Sequence, residues 1–221
     1  PDIAAIAKMN LFIHGYNGAI EREDSLGAPA FTENGHLEQF DYVLANFPFS
    51  ADWPKSDLQD DAYGRFDWHD KLPRADRGDY AFIMHMAHQL NDTGQAAIVI
   101  PHGVLFRKYE ARYREPMLEQ DMVEAVVGLP ENLFQNNSIP SAILVLNRDK
   151  PEEREDEVLF VHAADEAFYE ELSNQNELTE EGLDHITRNF NEWTTEERVS
   201  RAVPIEEIRE NDYNLNIALY V

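Results

Sequence analysis

The sequence predicts an α/β fold built on a mainly parallel sheet with an antiparallel edge pair. Short apolar runs of strand length, at 40–45, 96–100 and 158–161, alternate with stretches of helical period at 2–14, 80–90, 103–120 and 180–193. Two further apolar runs, 122–129 and 141–146, are joined by a polar, Asn-rich connection with no helix between them, as in a hairpin-like pair. The 221 residues, 43% apolar and 11% aromatic, suffice for one sizeable core.

Each element follows from its local pattern. Residues 2–14 (DIAAIAKMNLFIH) place apolar side chains at helical spacing, and Gly15 is a stop signal. Pro1 suits a first helical turn; without an initiator Met, the chain reads as cut from something longer. Residues 40–45 (FDYVLA) form a short apolar run bounded by turn residues and predict a buried strand, which ends at Asn46-Phe47-Pro48-Phe49. The 80–90 helix closes on Asn91-Asp92-Thr93-Gly94, with Gly94 available as a helix-ending glycine, and 96–100 (AAIVI) is the next buried strand. The charged run 150–157 (KPEEREDE) marks a loop at the edge of the core, and the final NDYNLNIALYV is apolar enough to dock. Residues 1–162 are therefore expected to form the main α/β unit and 163–221 a mixed helical appendage docked on it.

Forty-three acidic against 18 basic residues leave a formal net charge of -25, which repels phosphate backbones, so any DNA contact must be local or shared with a partner. The acids are scattered along the whole chain, and a solvated acidic shell of this kind suits high salt; the expectation is a halophilic source. In molar salt the Debye length shrinks to about 3 Å, which screens both self-repulsion and repulsion from DNA. With no cysteine, disulfides and thiolate chemistry are excluded. No apolar run approaches membrane-spanning length and the start lacks a signal-type pattern, so a cytoplasmic protein with no membrane partner is expected.

The segment FDYVLANFPFS (40–50) carries the most chemical information. Ligands of open α/β sheets bind outside the C-terminal strand ends. An Asn side-chain oxygen and a backbone carbonyl there can accept the two hydrogens of an exocyclic amine while an aromatic face stacks on an extruded base. Asn46, the carbonyl of Phe47, and Phe49 suit those parts; the plain alternative is a strand-ending turn. Residues 106–114 (FRKYEARYR) are a basic stretch interleaved with aromatics. Arg107, Lys108, Arg112 and Arg114 are weak candidates for DNA phosphates, against the alternative of a helix face paired with neighbouring acids. His85 and His88 lie three apart on a predicted helix and His102 on a following strand end, but no metal-hydrolase motif accompanies them and no metal is expected. There is no nucleophile elbow and no phosphate-binding Gly-rich loop.

This region resembles the modification subunits of type I restriction-modification systems, adenine-specific DNA methyltransferases whose fourth motif reads Asn-Pro-Pro-Phe after a strand like FDYVLA. The resemblance continues, in the family's order, through ADRGDYAFIMHMAHQL, GQAAIVIPHGVLFR, VEAVVGLPENLFQNNSIPSAILVLNR, SNQNELTE and NDYNLNIALYV. IAKMNLFIHG is similar to the helix after the second motif, and REDSL, with Asp24, to the block of the third. The resemblance implies a truncated, Rossmann-like methyltransferase sheet and S-adenosylmethionine as donor, with the main donor-binding motifs absent from the chain. It implies Asn46, Phe47, Pro48 and Phe49 as catalytic residues, Asp24, Asn46 and Pro48 as donor contacts, and Phe49 and Phe134 as aromatics flanking a flipped adenine. Asp24 is otherwise an ordinary loop acid, and Phe134 a core residue under a strand connection.

Two departures stand out. Phe47 occupies the place of the family's first Pro, which implies a looser backbone, a bulky side chain beside the base pocket and impaired catalysis. Gln135-Asn136-Asn137 replaces the common Tyr-Gly-Thr. The implied chemistry is direct methyl transfer to the adenine amine without metal or covalent enzyme intermediate. The implied partners are DNA read through a specificity subunit, a second modification subunit and a restriction subunit. The chain by itself is expected to be inactive; the alternative is a non-catalytic remnant or assembly module that binds the specificity subunit.

Overall fold

A computed structural model describes residues 2–134 and 138–221. Helix α1 (Ile3–Ile13) starts at Asp2, whose carboxylate accepts the Ala4 amide 3.1 Å away. None of its side chains is buried, and Ile3 and Phe12 are 82% and 84% exposed. Pro1 lies outside the described residues. A small hairpin, β1 (Thr32–Glu33) with β2 (His36–Leu37), leads into β3 (Phe40–Asn46). After a long loop comes α2 (Asp79–His88), buried nearly all round, and β4 (Leu90–Pro101) follows at once.

The rest of the chain supplies α3 (Ala111–Glu119), β5 (Val123–Gly128), β6 (Ser141–Asn147), β7 (Glu157–His162), the hairpin β8 (Tyr169–Glu171) with β9 (Asn176–Leu178), α4 (Glu180–Glu192), β10 (Ser200–Pro204) and α5 (Ile205–Glu210). The main sheet has the order β10-β7-β5-β6-β4-β3. Strands β3, β4, β5 and β7 run one way, while β6 and β10 run against them. The expected hairpin pair, β5 with β6, forms inside the sheet, because β6 (SAILVLN) is apolar on both faces and belongs between β4 and β5. The antiparallel edge pair is β7 with β10.

Each face of the sheet carries its own core. Helices α2, α3 and α5 cover one face, with Ile83, Met84, Met117 and Ile208 fully buried against Ile98, Val126 and Phe160. Helix α4 covers part of the other through Ile186 and Phe190, over Ala125, Val127, Leu159 and Val161. Residues 163–221 share this framework: β10 joins the main sheet, and Leu215, Ile217 and Tyr220 are buried in the first core.

Two local expectations are corrected. Residues 90–94 are strand, not a turn after a helix. Gly94 lets β3 approach, because a Cβ there would stand 2.8 Å from the Phe40 carbonyl oxygen. Residues 102–110 form two 3-10 turns, and only the second half of the predicted 103–120 helix is α-helical. In this stretch the Arg114 guanidinium donates to the carbonyls of Val104 (2.9 Å) and Arg107 (3.2 Å).

Candidate functional site

The C-terminal ends of β3 and β4 lie side by side, with Asn46 opposite Val99 in the parallel register. β3, a strand as expected but not the buried one its apolar run predicts, lies at the edge of the sheet with no buried residue, Tyr42 and Leu44 being 75% and 83% exposed. Asn46 is exposed, and among the described residues its side-chain amide has no hydrogen-bond partner. Pro48 is exposed and Phe49 half-buried against the first core.

Phe47 corrects an expectation. Its side chain is only 8% exposed, stacks on Phe82 with ring centroids 5.0 Å apart, and meets Phe49 edge-on at 6.0 Å. The ring fills the core instead of crowding the space outside the strand end. Apolar burial and stacking both favour this inward rotamer.

The turn after Phe49 is tied to α2. Ser50 has φ 51°, and its amide donates to Oδ1 of the fully buried Asp79 at 2.6 Å. Oδ2 of Asp79 takes Nη1 of Arg107 at 2.9 Å. The Gly78 amide donates to the Ala51 carbonyl at 2.8 Å. Arg107 also lies 3.4 Å from Glu110, whose carboxyl is pushed up to about 7 by burial, an effect the guanidinium only partly offsets.

Asp24 sits on an exposed turn, where Oδ1 accepts the Leu26 amide at 3.0 Å and Oδ2 has no partner among the described residues. That turn is held from beneath by Arg65, a fully buried guanidinium that donates to the carbonyls of Ser25 (3.3 Å) and Leu26 (2.8 Å) and pairs with Asp61 at 2.7 Å. Arg65 Nη1 also touches the His85 ring at 3.3 Å. Burial, reinforced by the Arg65 charge, holds His85 down to about 4, so the ring is neutral at pH 7. A hollow of about 210 Å³ opens beside the turn, between Glu23, Ser25, Phe31, His85 and Gln89. The Asp24 turn and the Asn46 loop are thus both referenced to one rigid helix, the first through His85 and the second through Asp79.

Other candidates are placed elsewhere. Arg114 is 1% exposed and spends its guanidinium on carbonyls of Tyr213, Val104 and Arg107, so it cannot reach a phosphate. Arg107 is committed to Asp79, which leaves Lys108, exposed, and Arg112, which lies 4.5 Å over the Tyr109 ring. Phe134 is half-buried in the second core with Leu133, whereas Phe49 packs on the first, so the structure does not bring the two rings together. Residues 135–137 lie outside the described residues. His88 bonds the Met84 carbonyl, and His102 meets Phe106 edge-on.

Sequence reasoning missed Asp79 and Arg65, whereas Glu110 pairs with the basic run, at Arg107, as the plain alternative for 106–114 had it. An acid in the first turn of a helix, as in RGDY, ordinarily reads as a favourable charge at the N-terminus. Nothing local reveals that its Oδ1 takes an amide 29 residues away and its Oδ2 a guanidinium.

A family model described as N-6 DNA Methylase matches residues 1–221. The chain is 35% identical over 230 residues to the type I restriction enzyme MjaVII methylase subunit of Methanocaldococcus jannaschii, covering 99% of this chain and 39% of that protein. It is 32% identical to the MpnII methylase subunit of Mycoplasma pneumoniae, covering 98% of this chain and 41% of that one. The crystal structure of a type I restriction-modification methyltransferase subunit from Streptococcus thermophilus superposes with a TM-score of 0.86 at 34% identity, covering 98% of this chain and 46% of that one. The chain therefore spans about two fifths of the length of the curated relatives it matches.

Proposed function

The chain belongs to the N-6 DNA methylase family, and from that premise we propose that it forms the rear part of the catalytic domain of a type I modification subunit that methylates adenine in DNA. The observation that carries this reading is the Asn46 side chain, exposed and, among the described residues, without a hydrogen-bond partner at the C-terminal end of edge strand β3. In this reading its oxygen accepts one hydrogen of the adenine amine and the Phe47 carbonyl accepts the other, which frees the nitrogen lone pair for attack. Phe49 stacks on the extruded base. Binding and orientation supply the rate, through positioning and fixed dipoles.

S-adenosylmethionine is the donor proposed, and it supplies an electrophilic methyl group. The residues present fit part of it: Oδ2 of Asp24, without a partner among the described residues, suits an amine donor of the adenine ring, and exposed Asn46 and Pro48 border the reacting side. The remaining contacts are assigned to sequence that the longer relatives carry beyond the matched region. A specificity subunit, a second modification subunit and a restriction subunit are the proposed partners. The net charge of -25 supports DNA capture through such a partner, and also a working environment of high salt. Among the described residues no helix is long and apolar enough to cross a membrane.

The test is transfer of labelled methyl from S-adenosylmethionine to adenine in duplex DNA by this chain joined to the donor-binding part of a modification subunit and assembled with a specificity subunit. Asn46→Ala should lower the rate at least a hundredfold, the scale on which removal of a single transition-state contact acts. A variant as fast as the parent would end this reading.

A further inference from the structure

The loop proposed to hold the base is clamped by a residue that would never touch it. Ser50, directly after Phe49, is left-handed at φ 51°, a conformation that a non-glycine residue keeps only where its surroundings impose it. The imposing group is Asp79. Its carboxylate is fully buried and commits both oxygens, Oδ1 to the Ser50 amide at 2.6 Å and Oδ2 to Arg107 at 2.9 Å. A first-turn acid whose only role was to start its helix would turn to the helix's own amides; Asp79 instead faces the loop.

The clamp extends to the neighbouring strand. Arg107 packs over Gly103, just beyond β4, so closely that a Cβ there would meet the guanidinium at 2.7 Å. Gly78, before Asp79, adds its amide to the Ala51 carbonyl at 2.8 Å, and a Cβ on it would stand 3.1 Å from that same oxygen. Two consecutive residues of the loop are thereby pinned to the start of α2, and α2 is pinned through Arg107 to the end of β4.

We infer that Asp79, backed by Arg107, is the positioning residue of the 46–51 loop and sets the backbone from which the Asn46 amide and the Phe47 carbonyl are presented. Its link to catalysis rests on the methyltransferase reading above; the clamp itself does not.

The experiment compares this chain with its near-isosteric Asp79→Asn variant and with Asp79→Ala and Arg107→Lys. Amide hydrogen exchange and the Asn46 side-chain amide signal are followed by NMR, and binding of an oligonucleotide carrying 2-aminopurine in place of adenine by fluorescence with each chain assembled with a specificity subunit, the partner proposed to capture DNA. In Asp79→Ala the Ser50 amide should exchange at least about tenfold faster, the scale of a lost hydrogen bond to a charged group. The Asn46 signal should shift, while amides of β5 and β7 keep their protection. Asp79→Asn, which keeps an acceptor but not the charge, should fall between. Unchanged Ser50 exchange overturns the inference, and so does acceleration by the same factor in β5 and β7, which would make Asp79 a general fold residue. Should Asp79→Ala not fold, Asp79→Asn and Arg107→Lys decide by the same criteria. If the parent gives no fluorescence response, the base-binding reading fails and exchange alone decides the clamp. A parent response that Asp79→Asn reproduces in full, with Ser50 deprotected, overturns the positioning role.

Discussion

Replacing Phe47 by Ala tests whether this ring belongs to the core or to the space outside the strand end. Phe47 is 8% exposed and stacked on Phe82 at 5.0 Å, with interplanar angle 13°. Phe→Ala in a core costs about 3–5 kcal/mol. Because Phe47 sits at a loop entry where neighbours can close in, the low end, about 3 kcal/mol, is the expected loss. For a chain of this size each kcal/mol moves Tm by about 2–4 °C, so Tm should fall by roughly 6–12 °C. Phe47→Leu keeps apolar volume and loses the ring stacking, worth about 0.5–1.5 kcal/mol, and should sit between. Phe47→Pro also loses the stack and should melt below the parent. The assay is thermal melting by circular dichroism, with a Phe82→Ala partner to complete a double-mutant cycle. A Phe47→Ala chain that melts within about 2 °C of the parent would refute the inward placement, since that shift corresponds to no more than about 1 kcal/mol.

Arg65→Met leaves Asp61 buried without its cation and should cost about 3–5 kcal/mol in urea unfolding, with Asp61→Asn added on top recovering part; equal stability of Arg65→Met and parent would contradict the tie drawn here. Acid dependence should show two opposed slopes. His85, held down to about 4 from 6.5, is neutral in the fold, so its contribution is present above pH 6.5 and lost as pH falls towards 4. Glu110, pushed up from 4.5 to about 7, keeps its proton in the fold, so its contribution is present below pH 4.5 and lost as pH rises through 7. At 1.36 kcal/mol per unit, each is worth roughly 3 kcal/mol, and they nearly cancel across pH 4.5–6.5. His85→Gln should therefore expose stability that falls as pH rises, and curves for variant and parent that stay parallel would count against it. Finally, with a net charge of -25, Tm should rise with KCl towards the molar range; a steady fall would exclude the salt-adapted reading.

How much was legible depended on whether the cause was local. β3, α2, β5, β6, β7 and α4 follow from runs such as FDYVLA and SAILVLN, whose period or unbroken apolar character marks them without reference to the rest of the chain. β10 and α5 were not legible: SRAVP is a strand because it lies along β7, and IEEIRE is a helix because Ile205 and Ile208 find the first core. Nor did the helical pattern over 103–120 reveal that its first part folds as 3-10 turns, with the carbonyls of Val104 and Arg107 bonded by Arg114.

The candidate site divides along the same line. The order of residues in ANFPFS places an amide, a carbonyl and an aromatic at a strand end, and composition alone establishes the acidic surface and the absence of thiol chemistry. Family membership, too, is carried by the order of motifs. Only the tertiary structure decided that Phe47 faces the core, that Phe134 lies on the opposite face from Phe49, that Arg114 is buried, and that Asp79 and Arg65 hold the two loops. The physical reason is range. Period and turn chemistry act over a few residues, whereas a side chain's direction depends on which apolar surface or counter-charge lies across the fold, and that is settled only when distant segments pack.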